Sequence, residues 1–188
     1  MPLTRLDTST ALIVIDLQKG ILGLPTVHPV AEVVNHAGAL ADAFRHHRLP
    51  VVLVNVDGGA SGRTEQATRI REFPAGWTEL LPELNQQPGD HTVTKRTWGA
   101  STNTGLGEHL KRLGVTQVVI AGVSTSAGAE STARQAYELG FNVTLAVDAM
   151  TDTNSDAHIN SITRIFPRLG ETGTTQEIIE LLKGNRSA

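Results

Sequence analysis

Val118-Val119-Ile120-Ala121-Gly122-Val123-Ser124-Thr125-Ser126-Ala127-Gly128-Ala129-Glu130-Ser131-Thr132-Ala133 is the stretch on which the architecture turns. Its first four residues are apolar and mostly β-branched, the composition of a short strand buried on both faces. A glycine-containing turn follows, and from residue 131 to 139 the spacing is helical. Residues 143–147 (Val-Thr-Leu-Ala-Val) then form a second strand-like run. A strand, a helix and a strand in succession are joined most simply as a crossover between parallel neighbours.

The same alternation extends outward. Residues 11–15 and 51–54 are strand-like. Residues 30–45 place Val30, Val33, Val34, Ala37, Leu40, Ala41 and Phe44 on one helical stripe, and residues 106–113 repeat the helical spacing. A helix around residues 79–84, a short strand at 91–94 and a helix at 155–165 complete the interior. Thr174-Thr175-Gln176-Glu177 is a capping-box pattern that opens a last helix through Leu182. These elements predict an α/β fold, an open parallel sheet with helices on its faces, in one domain over residues 1–188. With 39% hydrophobic residues in 188, the chain can bury a core of ordinary size.

Composition narrows the function. The chain has no cysteine, which excludes disulfides and thiolate metal sites. Its net charge of −3 comes without a basic block, so neither nucleic acid nor an anionic membrane surface is an expected partner. A small molecule is. The start Met1-Pro2-Leu3-Thr4-Arg5 has no charged and apolar targeting pattern, and a cytoplasmic location is expected. The apolar runs are far too short to span a bilayer. The seven histidines are scattered, with His46-His47 at a helix end; no metal and no cofactor are expected.

Three candidates for chemistry fall at strand carboxyl ends: Asp16, Lys95 and the turn after Ala121. Each has an ordinary alternative, since aspartates serve turns and lysines are usually solvated. Their shared position sets them apart, because the carboxyl edge of an open parallel sheet is where ligands bind. Gly/Pro-rich residues 20–29 and 57–62 follow the first two strands and would overhang that edge as walls, lids or plain connectors. Gly58-Gly59-Ala60-Ser61-Gly62-Arg63-Thr64 fails as a phosphate loop, with three residues between its outer glycines and Arg63 in the lysine position.

Val14-Ile15-Asp16-Leu17-Gln18, Lys95-Arg96-Thr97-Trp98-Gly99-Ala100, the turn from Gly122 and Asp148-Ala149-Met150-Thr151-Asp152, in that order, resemble the isochorismatase-like superfamily of cysteine hydrolases. The resemblance implies a three-layer, Rossmann-like fold and a homodimer or higher homo-oligomer. It also implies a cis peptide at Val123-Ser124, proton transfer by Asp16, electrostatic support from Lys95 and a cysteine nucleophile at position 128. Gly128 stands there instead, so thiolate attack is unavailable. A branch resembling the isochorismatases proper also carries glycine at this place and hydrolyses a vinyl ether, a reaction that needs an acid and no covalent nucleophile. The expected activity is that of a hydrolase with catalytic Asp16, Lys95 and the Gly128 turn, and with Gln18, Trp98, Ser124, Thr125 and Ser126 around the substrate.

Two departures shape the pocket. Ser101 stands where many relatives have phenylalanine, and Asn55-Val56-Asp57 replaces the Asp-x-His metal motif of nicotinamidase-like relatives. A silent relative that only binds a ligand or protein partner fits Gly128 equally well. Amide hydrolysis through Ser126, Thr125 or an Asp16-activated water is a third reading, weakened by the lack of a histidine base beside those hydroxyls in sequence.

Overall fold

The computed structural model describes residues 3–65 and 73–184, leaving Met1 and Pro2 of the N-terminal stretch outside. Six strands form one sheet: β1 (Thr10–Ile15), β2 (Val51–Val56), β3 (His91–Lys95), β4 (Gln117–Val123), β5 (Asn142–Thr151) and β6 (Glu171–Gly173). Their order is β3-β2-β1-β4-β5-β6, and every pair is parallel. The helices are α1 (Val30–His46), α2 (Leu106–Arg112), α3 (Glu130–Glu138), α4 (Ser155–Asn160), α5 (Phe166–Leu169) and α6 (Thr175–Gly184). The expected α/β architecture is the one found.

Strand alternation divides the core into two layers. Leu12, Val14, Val51, Leu53, Val119 and Ala121 face α1 and α6, meeting Val33, Val34, Ala37, Leu40, Ala41, Phe44, Ile178 and Leu182. Ala11, Ile13, Ile15, Val52, Val54, Val118 and Ile120 face the other way, onto Leu106, Leu110, Ala133, Ala136 and Phe166. Successive strand residues point to opposite faces, so uninterrupted apolar runs require helices on both sides. The α1 stripe is buried as its spacing predicts.

Chain order reverses about β1, with β2 and β3 on one side and β4 to β6 on the other. Such a switch point opens a crevice at the strand carboxyl ends. Gly122 lets β4 pass tightly there: its φ is +110°, and a β-carbon would lie 2.0 Å from the Ile15 carbonyl oxygen. Any side chain would separate the two strands.

One expectation needs correcting. Residues 79–84 do not form a helix. Gln18 and Leu80 make an antiparallel bridge, Lys19 N–H donates to Glu79 O at 2.8 Å, and Leu81 N–H donates to Leu17 O at 3.1 Å. Only Pro82–Leu84 turns, as a 3-10 segment. The proline holds Leu81 extended, with φ −68° and ψ 134°, so the segment lies down as an edge partner of the β1 exit. β6 was not anticipated: Glu171-Thr172-Gly173 has no apolar run and is a strand only through its pairing with β5. The predicted 155–165 helix is present and runs on, since α4 passes through a π-helical segment, Ser161–Ile165, into α5. Pro167 lacks the N–H that a regular ladder needs just beyond that segment. No helix among the described residues is long and apolar enough to cross a membrane.

Candidate active site

Asp16 follows the last residue of β1. Its N–H still donates to Val54 O at 2.9 Å, and its φ of +52° then bends the chain out of the sheet. Aspartate tolerates this left-handed conformation better than most residues. The bend leaves Asp16 only 5% exposed at the switch point. Lys95 ends β3, two strands away, a separation of about 10 Å. Its side chain crosses β2 and places Nζ 2.7 Å from Asp16 Oδ2, also donating to Thr97 O at 3.1 Å. Lys95 is 2% exposed, so this is a buried ion pair.

Burial and charge oppose one another at Asp16. Removal from water raises the carboxyl pKa and Lys95 lowers it; burial wins, and the group is pushed up from 3.8 to about 6. Asp16 Oδ1 is buried and finds no hydrogen-bond partner among the described residues. The acid therefore has one oxygen tied to a cation and one able to carry a proton.

The turn after β4 comes to the same point. Val123-Ser124 is a cis peptide, as the resemblance implied. A β-carbon built on Gly128 would lie 3.2 Å from Asp16 Oδ2, so the turn passes directly over the acid. Around the turn, Ser124 O accepts from Ala127 N at 3.2 Å and Ala129 N at 3.1 Å. Ser126 N and Oγ both donate to Asp152 Oδ2, at 2.7 and 2.8 Å. Thr132 Oγ1 donates to Gly128 O at 2.7 Å and itself accepts from Ala100 N at 3.1 Å. This links the turn to the segment after Lys95. Asp16, Lys95 and Gly128 are thus brought together.

The other candidates are distributed differently. Gln18 is fully buried, its Oε1 accepting from Val56 N at 2.7 Å and its Nε2 donating to Val56 O and Trp77 O at 3.1 and 3.0 Å. It fastens the β1 exit to β2 and to the Trp77 segment. Thr125 is likewise fully buried. Ser124 and Ser126 are half-buried along the turn, while Trp98 is 67% exposed. Ser101 N–H donates to Gln135 Oε1 at 2.9 Å, tying its segment to α3, and Asn55 Nδ2 donates to Thr78 O at 3.0 Å.

Sequence reasoning missed His158. It lies on α4, 7% exposed, with Nδ1 2.8 Å from Thr125 Oγ1. The histidine judged absent beside the turn in sequence is present beside it in space. Its pKa is lowered, first by burial and then by His28, with Asp152 opposing. Nothing in the sequence marked it, because the contact joins residues 33 positions apart.

The comparisons with known proteins identify the family. Residues 10–177 match the isochorismatase domain family. The chain is 40% identical over 181 residues to the uncharacterized isochorismatase family protein YwoC of Bacillus subtilis (strain 168), covering 93% of this chain and 94% of that one. It is 29% identical over 156 residues to Nicotinamidase 3 of Arabidopsis thaliana, covering 79% and 76% of the two chains. Among solved structures, an isochorismatase family protein from Burkholderia thailandensis superposes with a TM-score of 0.91 at 37% identity, covering 95% of this chain and 98% of that one. The family match, the relatives and the shared fold agree, and the chain belongs to the isochorismatase family of hydrolases.

Proposed function

We propose that this hydrolase cleaves the vinyl ether of a small carboxylate substrate, with Asp16 as the acid. Asp16 gives its proton to the terminal enol-ether carbon, producing an oxocarbenium ion. Water adds to that ion and returns a proton, and the hemiketal collapses to pyruvate and an alcohol. Lys95 holds the carboxyl from the side of Oδ2 and leaves Oδ1 for the transferred proton. A substrate carboxylate arriving nearby offsets the lysine charge and favours the protonated acid. Gly128 sets backbone alone, with no side chain, against Asp16 Oδ2.

The observation that carries this reading is the buried Asp16 carboxyl, raised to about 6 with Oδ1 unpartnered. A carboxylic acid near its ordinary value is almost wholly ionised at neutrality and a poor proton donor. The likeness to a nicotinamidase favours a second reading, in which ionised Asp16 activates a water against an amide.

Incubation with isochorismate and with a panel of amides, assaying pyruvate and ammonia, separates the two. Pyruvate release is expected, reduced about 100-fold or more in Asp16→Asn. The pH profile discriminates again. If Asp16 is the acid, kcat/KM falls about tenfold per unit as pH rises above about 6. Under the amide reading kcat/KM rises through that range and ammonia is the product. Silence on both panels removes both readings and leaves a ligand-binding role for the cleft.

A further inference from the structure

We propose that His158 is the positioning residue of the reaction turn, holding Thr125 through a directed hydrogen-bond chain that runs from the histidine ring to the Thr151 carbonyl. The inference rests on the turn serving the hydrolysis proposed above, and it assigns a residue to that turn from outside it.

Thr125 opens the turn that ends over Asp16. Its hydroxyl lies 3.0 Å from Thr151 O and 2.8 Å from His158 Nδ1. A threonine hydroxyl has one proton to give and a carbonyl oxygen can only accept. Both contacts are hydrogen bonds at once in a single arrangement: His158 Nδ1–H donates to Thr125 Oγ1, and Oγ1–H donates to Thr151 O. For a neutral imidazole this fixes the Nδ1–H tautomer, with Nε2 bare. Burial and the neighbouring His28 both favour the neutral ring, against Asp152.

The chain is anchored at both ends. His158 sits on α4, whose first turn is capped by Asn154 Oδ1 accepting from Ala157 N at 2.9 Å. Asn154 N–H donates in turn to Asp152 Oδ1 at 3.2 Å, and Asp152 Oδ2 holds Ser126. Two routes therefore connect α4 to successive residues of the turn, one through His158 and Thr125, the other through Asp152 and Ser126. His28 lies against His158, ring centroids 4.8 Å apart, while its N–H donates to Thr151 Oγ1 at 3.0 Å. Val27 N–H donates to Asp152 O at 2.8 Å. The loop after β1 is thereby fastened to the same two residues that hold the turn, Thr151 at the end of β5 and Asp152 just after it. His158 touches neither the acid nor the space over it; it acts through Thr125, on a turn whose displacement by about 1 Å is enough to cost a factor of about 100 in rate.

The test pairs disruptive with conservative variants. Thr125→Val and His158→Leu are expected to lower kcat for pyruvate release about 100-fold with KM changed less than about threefold. Thr125→Ser keeps the hydroxyl, and His158→Asn places an amide N–H where Nδ1–H was; both are expected within about fivefold of wild type. Imidazole nitrogen NMR of the wild-type protein at neutral pH is expected to show His158 as the Nδ1–H tautomer and to lose that signature in Thr125→Val. An Nε2–H tautomer, or wild-type kcat in folded Thr125→Val, overturns the proposal. If the wild-type protein releases no pyruvate, the vinyl-ether reading fails, and the positioning role is decided by the tautomer and by amide exchange. Faster exchange across residues 124–128 in His158→Leu supports it, and unchanged exchange overturns it.

Discussion

A β-carbon at position 128 would sit 2.8 Å from Ile15 Cγ2, 3.1 Å from Val123 O and 3.2 Å from Asp16 Oδ2. The backbone has closed around the glycine, so even a methyl group forces the Ile15 side chain to move. Gly128→Ala is expected to destabilise the protein by about 1–3 kcal/mol, the range for overpacking a filled site. The measurement is the urea midpoint, and an unchanged midpoint contradicts the crowding. Ile15→Val leaves the clashing methyl in place and gives no relief. Ile15→Ala removes it, so the double variant should be less destabilised than the sum of the single ones. For the same reason a cysteine at 128 needs repacking before it can serve as a nucleophile. At this scale the sequence was informative about place and silent about orientation. Asp16 and Lys95 were legible as strand-end residues, but their pairing across 79 positions depends on β2 lying between their strands. Gln18 reads as a pocket residue two positions beyond Asp16. The φ of +52° at Asp16 breaks the strand alternation, and the glutamine turns inward onto Val56 and Trp77.

Among the elements, α6 shows how a local signal survives folding. Thr174 N–H and Oγ1 donate to Glu177 Oε2 at 2.7 and 3.0 Å, and Glu177 N–H donates back to Thr174 Oγ1 at 3.3 Å. This is the reciprocal capping box that the sequence predicts. The helix carries Ile178 and Leu182 into the layer shared with α1. Thr174→Ala is expected to cost about 1 kcal/mol and to lower Tm by about 2–4 °C in a chain of this size, read by calorimetry. A loss confined to α6 fraying, with no change in Tm, would show that the helix is held by packing alone. The cap was legible because it is local: four consecutive residues contain both partners. β6 and the Trp77–Leu81 edge were not, because their conformation comes from distant partners. β6 exists by virtue of Thr144, Leu145 and Ala146 across the ladder. Leu80 is extended because Gln18 offers a bridge, and Pro82 prevents the helix that the apolar spacing suggests. His158 belongs with these, a residue whose role follows from where α4 is docked.

For the whole molecule, the cost of the acid is set by where the fold reverses. The sheet puts Asp16 at the switch between β1 and β4, under the turn and out of water, and Lys95 is the one cation among the described residues that reaches it across β2. Stability should record this. The folded protein holds the Asp16 proton to about pH 6, whereas the unfolded chain releases it near 3.8. Between those values the native state binds more protons than the unfolded state, so this group's contribution to stability falls as pH rises, by about 3 kcal/mol in all, and is level above about pH 6. Replacing the lysine by an apolar side chain of similar length removes the two influences that lower the Asp16 pKa and leaves burial unopposed. In Lys95→Met the native carboxyl therefore keeps its proton to higher pH, and the falling window extends upward. Near pH 5 the variant is expected to be close to wild type in stability, since a neutral carboxyl tolerates an apolar neighbour. Towards pH 8 it should fall behind by up to about 1.4 kcal/mol for each pH unit by which the Asp16 pKa has risen. Urea unfolding of both proteins across that range measures the difference directly, with Asp16→Asn as the control in which this slope is gone. Parallel wild-type and Lys95→Met curves above pH 6 would mean that the lysine does not govern the acid's charge and that burial alone sets it.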